Sequence, residues 1–211
     1  MNNFLIAYLI AVHLHISNNR FTHIPKMCNA PKLVEILFTN NPIASIEPKA
    51  FDHLPSLYGL YLYGDATEQS LNVLKADTLS FSSTSSIKMI NMSYWEGLDF
   101  EPGCIKNIQP DTNLDLSNCG IEVISQDVFY DVFKTLSDHY DHGKNRINFG
   151  QNPLACDCSI QWIVKDLNML AVIDYNLMEN SNGNLLVEME LLCQNWICTP
   201  LKCFVQMISH N

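Results

Sequence analysis

Basic residues are scarce in this chain: Lys and Arg number 12 against 22 Asp and Glu, a formal charge of −10 with histidine neutral. Phosphate backbones are gripped by a basic stripe, and the few cations here are scattered. Nucleic acid is therefore excluded as a partner, and an anionic lipid surface is disfavoured. Long apolar runs are missing too. The N-terminal run Phe4 to Val12 has nine residues, where a membrane-crossing helix needs about 20. No Gly-rich phosphate loop and no nucleophile elbow frames any serine, histidine or aspartate, so the usual settings of nucleotide chemistry and acyl transfer are absent. What is present is 47% hydrophobic over 211 residues, enough to bury a core in one or two domains.

That apolar content recurs at a fixed spacing. Leu33, Ile36, Phe38, Asn41, Ile43, Ile46, Phe51 and Leu54 become Asp111, Leu114, Leu116, Cys119, Ile121, Ile124, Phe129 and Val132 when 78 is added to each number. A shift of 54 gives Ile87, Ile90, Met92, Trp95, Gly97, Phe100, Ile105 and Ile108. Most positions stay apolar through both shifts. This is the L-x-x-L-x-L-x-x-N/C-x-L pattern of a leucine-rich repeat, in which each unit adds one strand to a stack. About six units can be placed over 11–151, with ladder positions at Asn19, Asn41, Asp65, Trp95, Cys119 and Asn152. An asparagine there turns inward and satisfies backbone groups of the turn leaving the strand. Trp95 lacks the amide, so the fourth unit is expected to be irregular.

Two intervals are long. Leu57 to Ile87 spans 30 residues where neighbouring units span 24, and the excess includes Ser80 to Ser86; Asp111 to Lys144 spans 33, with Ser137 to Gly143 as the expected insertion. Insertions go to loops on one face of a solenoid. Glu47-Pro48 and Glu101-Pro102 occupy one repeat position and suit a turn or short helix start on the convex side. Phe51 follows the first of these and is expected to be buried as a rung of a spine with Ile105 and Phe129. At the N-terminus two readings stand. Residues 1–10 can be part of a signal segment, or the edge of a first repeat in an array, since Ala11, Leu14, Ile16, Asn19, Phe21 and Ile24 fit the template.

After Phe149 the character changes. Asn152-Pro153-Leu154-Ala155-Cys156-Asp157-Cys158 runs into Ser159-Ile160-Gln161-Trp162, the N-P-x-x-C-x-C-x-x-x-W wording of a cysteine-rich C-terminal flank. On these residues the chain resembles the extracellular leucine-rich-repeat proteins with such a cap. The N-P-L-x-C-D-C wording is similar to secreted arthropod repeat proteins, including the non-catalytic subunit of a shrimp luciferin monooxygenase. The resemblance implies an α/β solenoid: a horseshoe with parallel concave strands, an irregular or short-helical convex side and a disulfide-bonded cap over 152–211. It implies that Trp162 and Ile163 cover the open core edge and that cysteines hold them there. By analogy with the family's first-to-third and second-to-fourth pairing, Cys156–Cys193 and Cys158–Cys203 are the expected bridges. The stretch Asn180 to Gly183 stands where related caps carry a cysteine, and Cys28 and Cys198 have no assigned role.

Alternation along the strands defines an outward face. Its central column reads His15, Leu37, Tyr61, Asn91, Asp115, Asn148, flanked by Ser17, Thr39, Tyr63, Ser93, Ser117, Gly150 and by His13, Glu35, Gly59, Met89, Asn113, Arg146. Leu37, Tyr61, Tyr63, Asn91 and Asp115 are the expected contacts for a protein ligand, since solenoids of this kind are binding surfaces far more often than active sites. His13 and His15 share a strand face, but no third ligand adjoins them in sequence, and Asp138, His139, Asp141 and His142 read as a solvated loop. No metal, cofactor or catalytic residue is expected. Asn91-Met92-Ser93 is a glycosylation sequon, and a glycan there would block the face. The expected function is a non-enzymatic, secreted or extracellular protein-binding module. The alternatives are a non-catalytic subunit stabilising an enzyme complex and, more remotely, a hydrolase or metal-dependent enzyme.

Overall fold

The structure, a computed structural model, describes residues 11–27, 30–64, 71–138, 147–155 and 158–174. Residues 1–10, Cys28, Asp65, His139, Asp141, His142, Arg146, Cys156, Asn180 to Gly183, Cys193, Cys198 and Cys203 lie outside the described residues, and of Cys158 only the backbone is described. The expected bridges, and every member of the loop cluster of acids and histidines except Asp138, therefore fall outside them.

Six short strands stack in parallel into one sheet: β1 His13–His15, β3 Glu35–Leu37, β5 Gly59–Tyr61, β8 Met89–Asn91, β11 Asn113–Asp115 and β12 Ile147–Asn148. The register puts Leu14 beside Ile36, Leu60, Ile90, Leu114 and Ile147 in one row. From Ile36 onward this row is fully buried, because each strand is too narrow to cover its own apolar side chain and relies on the next unit to do so. Leu14, at the sheet's first strand, is only half-buried. The arrangement is a parallel solenoid of leucine-rich-repeat type.

The turns leaving β3, β8, β11 and β12 are each stitched to the preceding unit by the ladder residue. Asn41 donates to the carbonyls of Ile16 at 2.9 Å and Phe38 at 2.8 Å, and accepts from the Phe21 N–H at 3.1 Å. Asn152 donates to Leu116 and Phe149, both at 2.8 Å, and accepts from Cys119 and Ile121 at 2.9 and 3.0 Å. Trp95 corrects the expectation of an irregular unit. Its indole N–H donates to Leu62 O at 2.6 Å, the carbonyl equivalent to Ile16 and Leu116, and the ring is buried. Cys119 does the same with its thiol, 3.1 Å from Met92 O. The donor matters at this position, and an amide is one of several ways to supply it. Immediately before each of these residues the backbone is left-handed, at Asn18, Asn40, Tyr94, Asn118 and Gln151, with φ between 55° and 64°. Asparagine tolerates that conformation; Tyr94 holds it at a steric cost. Gly64 is required by the same junction, since a Cβ there would lie 1.8 Å from Tyr94 O.

The opposite side carries pairs of two-residue strands: β2 His23–Ile24 with β4 Ser45–Ile46, β6 Val73–Leu74 with β9 Asp99–Phe100, and β7 Leu79–Ser80 with β10 Ile105–Lys106. Between them the chain makes the same turn three times, closed by Ala50 N–H to Glu47 O, Thr78 to Lys75 and Cys104 to Glu101, each at 3.1 Å. Pro48 and Pro102 sit second in two of these turns, and Lys49, Asp77 and Gly103 sit third with positive φ, a type II turn and not a helix start. The Glu47 carboxylate accepts from Lys26 N–H at 2.9 Å and Glu101 from Ala76 N–H at 3.0 Å. Where the second turn residue keeps its N–H, the next unit supplies a carboxylate; Pro48 has none to satisfy, and the next unit has Lys75.

The long fifth unit uses its extra residues for helix α1, Gln126–Ser137, which buries Val128, Phe129, Val132, Phe133 and Leu136 on one face. The expected insertion thus begins at a buried helix end, Ser137, and the Ser80–Ser86 stretch is packed in part: Ser80, Phe81 and Ser85 are buried, while Ser83, Thr84 and Ser86 are exposed. The aromatic spine is divided in two. Phe51 is fully buried but stacks on Phe81, ring centroids 6.1 Å apart, whereas Phe129 lies 5.2 Å from Phe100 and 5.7 Å from Phe149. At the C-terminal end a 3-10 turn Cys158–Ile160 leads into two short helices, α2 Gln161–Val164 and α3 Leu167–Ala171, the latter capped by Asp166. Ile163, Met169, Leu170, Val172 and Ile173 are buried, Trp162 packs edge-on to Phe133 at 5.1 Å, and Ile173 bridges to Ile147 in β12. This segment covers the last strand, whose bare edge would otherwise pair with other chains.

Candidate functional site

The outward face of the six-stranded sheet divides into two halves of different chemistry. In the C-terminal half the polar side chains of the central column bond to one another and to the residues two positions on. Asn91 accepts from Ser93 N–H and Oγ at 3.0 and 2.8 Å and donates to Asp115 at 3.3 Å. Asp115 accepts from Ser117 N–H and Oγ at 3.0 and 2.7 Å and from Asn148 at 3.1 Å, and Asn148 accepts from Gly150 N–H. Each side chain caps its own strand end and links to the next, as Asx turns do. Asn91 is consequently buried, and the amide nitrogen that a glycan would occupy is held against Asp115. Asp115 is half-buried with its carboxylate engaged from three sides.

The other half is open. Leu37, Tyr61 and Tyr63 are half-buried and form a ridge over β3 and β5. Tyr61 folds back across Gly59, where a Cβ would meet its ring at 2.8 Å, so the glycine is the seat of that ring. Burial and, secondarily, the Glu35 carboxylate push the Tyr61 phenol above its ordinary pKa. Tyr58 and Tyr94 stand exposed at the ends of their strands.

Beyond the ridge lie His13, His15 and Glu35. Register places Glu35 directly beside His13, and its Oε2 is 3.2 Å from His13 Nδ1 and 3.1 Å from His15 Nε2. Glu35 was not visible as a third group beside the histidine pair because it comes from the next unit. The signal existed: His13 and Glu35 occupy the same column of the repeat alignment. On the adjoining face His23 bonds Ser45 Oγ at 2.8 Å and Glu47 at 3.3 Å, with Glu47 held below its usual pKa first by the Lys26 N–H and then by His23. Cys104 and Cys119, the two cysteines whose side chains are described, are buried free thiols pushed up to about 12 by desolvation, which removes nucleophilic character. Among the described residues no helix is long and apolar enough to cross a membrane.

No protein-family model matches the chain, and no curated protein does. Among solved structures it is similar to human 5T4 (Wnt-activated inhibitory factor 1, trophoblast glycoprotein), at 14% identity over 89% of this chain and 88% of that one, with a TM-score of 0.32. At that score the likeness carries no argument about the site.

Proposed function

We propose that the chain is a non-enzymatic, protein-binding repeat module, secreted or extracellular, whose partner docks on the Leu37–Tyr61–Tyr63 ridge. The observation that carries this reading is the contrast between the two halves of the sheet face: one has its central column engaged in its own hydrogen bonds, the other presents aromatic and apolar surface fixed on a rigid sheet. Rigid tyrosines provide contact area at low entropic cost. A formal charge of −10 favours a partner with a basic patch and an association rate that falls with salt. In the same reading, residues 11–151 are the repeats and 152–211 a cap locked through Cys156, Cys158, Cys193 and Cys203. The extracellular assignment rests on the cap wording and on those cysteines.

The test is capture of partners from the native extracellular fluid by the wild type and by a Tyr61→Ala/Tyr63→Ala variant. Losing an anchor costs about 2 kcal/mol or more, roughly a 30-fold weaker complex, and the stack should survive because neither ring enters the core. Equal recovery by two folded proteins would remove the ridge as the docking surface. An enzyme among the partners would favour a role as a stabilising, non-catalytic subunit.

A further inference from the structure

We propose that His13, His15 and Glu35 form a binding site for a divalent transition-metal ion of the zinc class on the sheet face of the first two units. One ring nitrogen from each of His13 and His15 and one Glu35 oxygen all lie within 4.8 Å of one another, the only such group of three among the described residues. Both imidazoles converge on the same oxygen, Oε2, at 3.2 and 3.1 Å. A tetrahedral ion with bonds of about 2.0–2.1 Å sets its ligand atoms roughly 3.3 Å apart, so two edges of the coordination polyhedron are already close to length. The closing movement needed is a rotation of exposed rings, and the backbone need not shift.

The donor set also selects the metal. Two imidazoles and one carboxylate suit zinc, and also copper or nickel, while calcium and magnesium call for oxygen cages. The scaffold is stiff where it must be. Ile16 N–H bonds Leu37 O at 3.0 Å, and Val34 and Glu35 N–H both bond Val12 O at 2.7 and 3.3 Å, fixing the two strands that carry the ligands. Preorganisation of that kind makes a three-ligand surface site bind rather than merely attract. Exposure of both histidines leaves the remaining coordination positions to water. His23 marks the contrast: with one carboxylate and one hydroxyl as neighbours it lacks the second imidazole.

Zinc alone, titrated calorimetrically into the full chain, tests the site, with cobalt as the spectroscopic probe. Wild type should bind one equivalent at this site, and cobalt there should show ligand-field bands without thiolate charge transfer, which separates it from any cysteine-bound ion. His15→Ala and Glu35→Gln should each weaken zinc more than about tenfold, since a direct ligand matters at least as much as an outer-shell partner. His23→Ala should leave affinity unchanged. His15 and His23 are exposed and Glu35 is partly exposed on the sheet face, so the variants should fold, and circular dichroism checks that. Absence of the nitrogen–oxygen cobalt spectrum in wild type, unchanged affinity in His15→Ala and Glu35→Gln, or an equal loss in His23→Ala would overturn the assignment.

Discussion

Asn152→Ala is the substitution whose cost the geometry fixes most closely. The side chain is buried and makes four short bonds, donating to Leu116 O and Phe149 O at 2.8 Å and accepting from Cys119 N–H and Ile121 N–H at 2.9 and 3.0 Å. Alanine leaves two carbonyls and two amides inside the junction between the last repeats and the cap. Each stranded group costs about 1–3 kcal/mol, but the four are neighbours, and relaxation or an admitted water would re-satisfy some, so about 4 kcal/mol is expected. Asn19 is the internal control. It occupies the same repeat position, but it is exposed and among the described residues bonds only Ile16 O and Ser17 O of its own unit, each at 2.9 Å. Water replaces those bonds, and Asn19→Ala should cost less than about 1 kcal/mol. Urea unfolding followed by circular dichroism, at equal slope, measures the differences. If Asn152→Ala costs no more than Asn19→Ala, the ladder does not carry the stability argued for it.

Phe51→Ala should cost about 3–5 kcal/mol in the same assay, because the ring is fully buried against Phe81; a change below about 1 kcal/mol would place it at the surface. Cys104 and Cys119 should resist alkylation in the folded chain and react on unfolding, while Cys156 and Cys158, if bridged, should react only after reduction. The two thiols also set an alkaline limit. Their folded pKa is raised from 9.0 to about 12, so their protonated form favours the fold fully below pH 9, and that contribution is lost as pH rises towards 12. Rapid modification of either in native protein at neutral pH would contradict their burial.

The strand register was legible because the short apolar motif of each strand repeats from unit to unit, whatever the interval between them, and leaves few alternatives. Leu14, Ile36, Leu60, Ile90, Leu114 and Ile147 align in the structure as they do in the sequence. The far side was less legible for a physical reason. Two-residue strands such as Ser45–Ile46 have no period to detect, and their geometry is set by the turn at Glu47–Ala50 and by pairing with the neighbouring unit. Trp95 reads as a break in the ladder because its side chain is not an amide, yet the junction needs a buried donor aimed at one carbonyl, and an indole meets that need once Gly64 makes room.

The same distinction separates the two ends of the sheet face. Asn91, Asp115 and Asn148 look like surface chemistry in sequence, yet each has a strand end of its own to cap, and their hydrogen-bonding capacity is spent within the fold. His13, His15 and Glu35 have no such duty, being a histidine pair from one unit and an acid from the next that meet only through register. A polar column on a solenoid is therefore free for recognition only where its side chains are not needed two residues later. In the central column that condition is met in β1, β3 and β5 and fails from β8 onward, so a ligand bound through that column's polar groups should engage the first three strands.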